Sequence, residues 1–171
     1  MASLIEDLIS VLEEENKEYQ DLVILSREKT NVIVKGDIEY LKQITEVEQN
    51  FVGRIQKLEN KREGLVKEIA KVLRRTPEEI TVRAIIDILH GQKEVQYKLM
   101  TVYDELKVTI DNMVTTNELN KKLIDQSLEL IEFDLNLIQG SKQAPETANY
   151  SKNAFNTGVI DMGTGVFDAK Q

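Results

Sequence analysis

Few residues in this sequence could perform acid, base or metal chemistry. The only histidine, His90, follows Asp87 at a spacing that places both side chains on one face of a helix. An Asp-x-x-His pair could supply two metal ligands, but di-metal centres in helical bundles need a second histidine and further carboxylates. We therefore interpret His90 as a helix-end histidine beside the negative end of the helix dipole, and we predict no metal site.

Two further patterns have the composition of a binding site without its context. Gly163-Thr164-Gly165 resembles part of a phosphate loop, but no strand pattern precedes it and no helix pattern follows. The acidic run Glu13-Glu14-Glu15 is typical of a solvated helix face. The sequence has no cysteine, which excludes a thiolate nucleophile and a disulfide. We predict that the protein is not an enzyme and that it carries no cofactor.

Charge and composition exclude several classes of partner. The sequence has 22 basic and 30 acidic residues, a net charge of −8, which disfavours non-specific binding to nucleic acid and to anionic membranes. No apolar run is long enough to span a bilayer, and residues 1–7 lack the basic segment of a signal peptide. We expect a cytoplasmic protein. Aromatic residues make up only 5% and there are 2 prolines, which favours helices over sheet.

The first half of the sequence predicts a helical hairpin. An apolar stripe without proline or glycine indicates one helix from Leu4 to about Val34. Gly36 suits the left-handed position after a helix, and Asp37 can cap the helix that follows. A second helix is predicted from Ile38 to Leu73, and the short connection makes the two helices antiparallel.

The second predicted helix carries the clearest pattern in the chain, an a/d heptad seam with alternating steps of three and four residues. Glu48 and Arg62 are its only charged members, and they could either set register as buried charges or reach the edge of the seam. The members of the seam are Leu41, Ile44, Glu48, Phe51, Ile55, Leu58, Arg62, Leu65, Ile69 and Val72.

The second half predicts a short helix and a third long one. Thr76-Pro77-Glu78-Glu79 has the form of a capped helix start before a short apolar segment. Gln92 to Gln139 has helical periodicity, and the pattern leaves open whether Gly91 breaks the helix. From residue 140 the sequence is rich in Gly, Asn, Ser and Thr, which predicts a flexible tail over 140–171 behind a helical body over 1–139.

The predicted fold is therefore all-α: an elongated antiparallel helical hairpin plus a further long helix in a coiled-coil-like bundle, followed by a flexible C-terminal tail. The order of several motifs resembles the FlgN-type flagellar export chaperones, which escort hook-associated proteins, and the resemblance covers residues 1–150. It rests on Glu15-x-x-x-Tyr19-x-x-Leu22, Val34-Lys35-Gly36-Asp37-Ile38, Leu41-x-x-Ile44-x-x-x-Glu48, Leu58-Glu59-x-x-Arg62, Asn117-x-x-Asn120-x-x-Leu123 and Tyr150.

The resemblance implies a cytoplasmic, non-enzymatic chaperone. Members of this family bind the C-terminal segments of the hook–filament junction proteins and deliver them to the export gate of the flagellar type III apparatus, preventing premature assembly. An alternative from another class is a structural coiled-coil or adaptor protein without a client, homodimeric through the seam of the second helix.

Two sets of residues are candidates for contacts with these partners. On the third long helix an apolar stripe predicts either a client-binding groove or bundle core. Tyr150 could anchor the cytoplasmic domain of the export gate, as the resemblance implies. The candidate groove residues are Leu99, Val102, Leu106, Met113, Leu123 and Ile131.

Overall fold

The computed structural model of the chain describes residues 2–76 and 79–143. They form α1 (Ala2–Lys35), α2 (Ile38–Val72), α3 (Val82–Ile88) and α4 (Lys93–Gln143), with a 3₁₀ turn at Leu89–Gly91 between the last two helices. The described residues contain no β-strand, so the all-α prediction is confirmed. None of the described helices is long and apolar enough to cross a membrane.

The hairpin turn between α1 and α2 has the predicted chemistry. Gly36 adopts a φ of 69°, the left-handed conformation that glycine tolerates best. Its N–H donates to the Ile33 carbonyl at 3.0 Å, and the Asp37 N–H donates to the Val32 carbonyl at 3.2 Å, closing α1. The Asp37 carboxylate then accepts the Tyr40 N–H at 3.0 Å and caps α2.

The predicted start of the short helix at Thr76 was wrong. The backbone N–H of Glu79 donates to the Thr76 carbonyl at 3.1 Å, but α3 begins only at Val82, with Thr81 as its cap. Pro77 and Glu78 lie outside the described residues. Thr81 Oγ1 accepts the Ala84 N–H at 3.1 Å. Ile80 before the cap and Ile85 in the first turn are both buried in the core, a hydrophobic staple that fixes the later start.

The chain is not one continuous helix through Gly91: α3 ends at Ile88, and α4 begins at Lys93. At its other end α4 passes through Gly140 and ends at Gln143, four residues beyond the predicted helix end at Gln139. An added Cβ at Gly140 would meet no atom within 4 Å.

The chain divides into two units, Met1–Ile131 and Glu132–Gln171. The first unit is a helical bundle with its main core at the end where the chain begins. There α3 and its flanking turns pack against the first turns of α1, the last turns of α2 and the first turns of α4. The buried residues of this core are Ile5, Leu8, Leu12, Ile69, Ala70, Ile80, Val82, Ile85, Ile86, Leu89, Leu99, Val102 and Leu106. A smaller cluster of Leu22, Val23, Ile55 and Met113 lies further along the helices.

Of the second unit the structure describes the helical residues 132–143. They carry exposed apolar side chains on more than one side of the helix, at Phe133, Leu135, Leu137 and Ile138.

Candidate functional site

The side chains of Asp87 and His90, first considered for metal or acid–base chemistry, have different partners. His90 is exposed on the 3₁₀ turn, with Nδ1 3.3 Å from the Asp87 carbonyl oxygen, and the Asp87 side chain faces Arg83 instead. Among the described residues no group of three or more histidine, aspartate or glutamate side chains could hold a metal ion. Gly163-Thr164-Gly165 lies outside the described residues.

The acidic run on α1 is not uniform. Glu13 and Glu14 are exposed as predicted, but the Glu15 side chain is only 1% exposed. Arg62 on α2 donates through Nε to both Glu15 carboxylate oxygens, at 3.0 and 3.1 Å. Burial raises the pKa of Glu15 above its usual range, and Arg62 opposes this shift without cancelling it.

One turn along α1, Tyr19 extends the same polar cluster. Its hydroxyl donates to Glu59 on α2 at 3.2 Å. Burial, followed by the Glu59 carboxylate, raises the pKa of Tyr19 to about 12. A cavity of about 210 Å³ lies beside the cluster, bounded by Tyr103 and Leu106 of α4. Because these polar groups already bind one another, we interpret the cluster as a contact between helices.

The charged members of the α2 seam therefore have partners on α1. Arg62 pairs with Glu15, and Glu48 pairs with Lys29 at 2.6 Å. The apolar members from Leu41 to Ile69 are buried or half-buried, and only Val72 at the end of α2 is exposed. Most of the apolar surface of the seam is therefore already covered within a single copy of the chain.

α4 is held to α1 by a row of buried hydrogen bonds. Thr109 Oγ1 donates to Asn16 Oδ1 at 2.7 Å. Further along, Asn120 Nδ2 donates to the Ser26 carbonyl at 2.8 Å, and Thr30 Oγ1 donates to Asn120 Oδ1 at 2.6 Å. In the described residues every buried polar side-chain atom has a hydrogen-bond partner. These bonds fix which turn of α4 faces which turn of α1.

The six predicted groove residues of α4 fall into two groups. Leu99, Val102 and Leu106 are buried in the main core, and Met113 is buried in the smaller cluster. Leu123 is half-buried, and Ile131 is exposed. The first four are therefore buried in the bundle, in two separate clusters, and only Leu123 and Ile131 are accessible without opening the helices.

A groove that the sequence analysis missed lies where Ile131 is found, at the hairpin turn. It has a volume of about 370 Å³ and is bounded by the last turn of α1, the first turn of α2 and α4. Leu128 and Ile131 on its α4 side are 59% and 53% exposed. Its lining residues are Val32, Ile33, Gly36, Asp37, Ile38, Leu41, Ile124, Ser127, Leu128 and Ile131.

The comparison with protein-family models decides the family. The model described as FlgN protein matches residues 1–157, most of the chain. The chain is a member of the FlgN family. FlgN proteins are chaperones of flagellum biogenesis, which agrees with the resemblance found in the sequence. Comparisons with curated proteins and with solved structures gave no significant match.

The polar residues on α1, α2 and α4 that carry the resemblance to FlgN proteins form contacts between helices. Glu15, Tyr19, Glu59 and Arg62 make the polar cluster between α1 and α2. Asn117 and Asn120 bind α1, the former by accepting the Ser26 hydroxyl at 3.1 Å. These FlgN motifs therefore specify how the helices pack rather than a reactive centre.

The apolar groove left a weak trace in the sequence. Val32-Ile33-Val34 is a β-branched cluster at the end of α1, and the α4 stripe continues past Leu123. Periodicity indicates that both segments have an apolar face. It cannot show that the apolar stripe of α4 extends past the end of α1 in the folded bundle. Tyr150, the predicted anchor of the export gate, lies outside the described residues.

Proposed function

We propose that this chain is a cytoplasmic flagellar export chaperone that binds the C-terminal segments of hook-associated proteins. Membership of the FlgN family supports the chaperone role, and the groove at the hairpin turn supports a client site. An open apolar groove between helices accepts an amphipathic helix by covering its apolar face. Such cover would prevent the client segment from assembling before export.

The exposure of Leu128 and Ile131 is the observation that carries this proposal. Large apolar side chains that lie together on a surface mark interaction sites, because leaving them in water costs about 25 cal/mol per Å². Ile38, which is also exposed, continues the apolar surface onto α2.

Of the six predicted client contacts, Ile131 lines this groove, whereas Leu123 is half-buried and does not line it. Leu99, Val102, Leu106 and Met113 could touch a client only if α4 left the core that they form. Opening a core costs several kcal/mol, so we place the client at the hairpin-turn end of α4.

We further propose that the export gate is reached through the segment beyond Gln143, with Tyr150 as its anchor. The support is the resemblance, together with the amphipathic character of a tyrosine ring. Removal of residues 144–171 is therefore expected to keep client binding and to abolish binding to the cytoplasmic domain of the gate. Tyr150→Ala alone should weaken gate binding roughly thirtyfold, the usual loss for a buried aromatic anchor.

Client binding is tested with the full chain and an isolated C-terminal segment of a hook-associated protein, by titration calorimetry. Ile131→Asp should weaken binding at least tenfold, because it places a charge in the apolar groove. Ile24→Asp is the matched control, since Ile24 is also exposed, at 65% against 53% for Ile131, but lies on α1 outside the groove. If the two variants bind alike, the client does not use this groove.

A further inference from the structure

The chemistry of the groove at the hairpin turn indicates which kind of partner it binds. This inference rests on the proposed function, because it describes the partner of the same groove. The face of α4 that packs on α1 through Met113 and Asn120 continues at helical spacing through Ile124 and Ile131. Because α1 ends at Lys35, Ile124 and Ile131 line the groove instead of a packed interface with α1. A helix laid on them would therefore extend the packing that α1 makes with α4.

The α4 segment that lines this groove, residues 124–131, carries only acidic charges, whereas Lys35 and Lys42 lie near the groove at the hairpin turn. Among the described residues that line it, Asp37 is the single charged one. On α4, Asp125 lies one turn before Leu128, beside the apolar stripe, and Glu129 follows one turn after Asp125; both side chains are exposed.

The sequence of α4 is acidic well beyond these two positions. From Leu123 to Ser141 it contains four acidic residues, Asp125, Glu129, Glu132 and Asp134, and no lysine or arginine; basic residues precede this stretch at Lys121 and Lys122 and follow it at Lys142. A second copy of the chain that laid this same stretch of α4 on the groove would bring acidic residues together, which opposes association.

We propose that the partner of this groove is an amphipathic helical segment with lysine or arginine bordering its apolar face. The apolar face packs on Ile124, Leu128 and Ile131, and the basic side chains lie beside Asp125 and Glu129. The charges set specificity and the rate of association, while the apolar contacts provide most of the affinity.

Two designed peptides of about 18 residues, roughly five helical turns, test this directly. They share the same leucine stripe and differ only in carrying lysine or glutamate at the bordering positions. With the full chain at low ionic strength, the lysine peptide should bind at least tenfold more tightly than the glutamate peptide. The difference should shrink at about 0.5 M salt, where charges are screened.

Substitutions in the protein test whether Asp125 and Glu129 cause the preference for the lysine peptide. Asp125→Asn with Glu129→Gln should weaken binding of the lysine peptide about 3- to 10-fold at low salt, as expected for two exposed charge pairs. Glu14→Gln with Glu68→Gln is the control, because these exposed glutamates on α1 and α2 do not line the groove. It should leave binding unchanged.

Equal binding of the two peptides would overturn this inference. If a hook-associated segment binds in the groove while the peptides are not distinguished, the proposed function stands and the basic partner does not. Two further results would identify a different occupant, the first of them measured by sedimentation of the full chain. A dimer that Leu128→Asp dissociates would make the occupant a second copy, and peptide binding that appears only after removal of residues 144–171 would make it the chain's own C-terminal segment.

Discussion

Asn120 of α4 donates a hydrogen bond from its side-chain amide to the backbone carbonyl of Ser26 on α1, at 2.8 Å. Both residues are buried, and the other end of the same amide accepts from Thr30. Ser26 precedes Thr30 by one turn, so a single side chain of α4 binds two turns of α1. This arrangement fixes the register between the helices and so determines which residues of α4 are left exposed.

Asn120→Ala should therefore destabilise the fold. It removes the two bonds that Asn120 makes with the Ser26 carbonyl and the Thr30 hydroxyl, which at about 0.5–1.5 kcal/mol each should lower the free energy of unfolding by about 1–3 kcal/mol. Urea unfolding monitored by circular dichroism measures the effect. Asn112→Ala on the exposed side of α4 should change stability by less than about 0.5 kcal/mol. Equal effects would mean that the bonds to α1 contribute nothing.

The buried carboxylate of Glu15 predicts a pH dependence of stability. Its pKa in the folded protein is raised above the ordinary value of 4.5. The folded state therefore binds this proton more readily than the unfolded chain does. The contribution of Glu15 to stability is then fully present below pH 4.5 and decreases as the pH rises through the raised pKa.

The test compares the free energy of unfolding of the wild type with that of Glu15→Gln across this pH range. The wild type should lose stability relative to the variant as the pH rises from 4.5 towards neutrality. Glu14→Gln, an exposed neighbour, should show no such trend. A relative gain of the wild type with rising pH would mean that the bond to Arg62 outweighs burial.

The glycines of the hairpin should respond in opposite directions to alanine. Gly53 and Gly64 lie inside α2 with no atom within 4 Å of an added Cβ, so each substitution should stabilise the protein by about 0.5–1 kcal/mol. Gly36 has a positive φ of 69°, so Gly36→Ala should destabilise it by about 1–2 kcal/mol. Thermal unfolding of the three variants measures this. A loss at Gly53 or Gly64 would contradict this prediction, because the added methyl group would then meet a neighbouring atom.

Two aspartate substitutions distinguish the buried part of α4 from the part that lines the groove. Leu106 is buried in the main core, and a charge there should cost at least about 4 kcal/mol and prevent folding. Ile131 is exposed, and Ile131→Asp should leave helicity and the unfolding midpoint nearly unchanged. Circular dichroism of the two variants decides, and a folded Leu106→Asp variant would show that the first turns of α4 are not core.

The hairpin was predictable from the sequence because its signals are local. The a/d pattern from Leu41 to Ile69 required a long apolar face, and Gly36 with Asp37 could serve only as a stop and a restart. Local signals did not determine where the short helix starts, because Thr76 and Thr81 can both cap a helix. Burial of Ile80, a tertiary effect, selects the second.

The accessible part of the α4 stripe could not be predicted in the same way. Leu106 and Ile131 occupy equivalent positions in one periodic pattern. Their different burial depends on where α1 and α3 lie beside α4, which hydrogen bonds between distant residues such as Asn16 and Thr109 determine. Periodicity within one helix carries no information about those pairings.

Hydrogen–deuterium exchange of the full chain, with and without the C-terminal segment of a hook-associated protein, tests the central claim most directly. The account predicts slower exchange on client binding at residues 32–41 around the hairpin turn and at 124–131 of α4, with residues 99–113 unchanged. Faster exchange over 99–113, with no protection at the hairpin turn, would contradict it, because the client would then enter by opening the core.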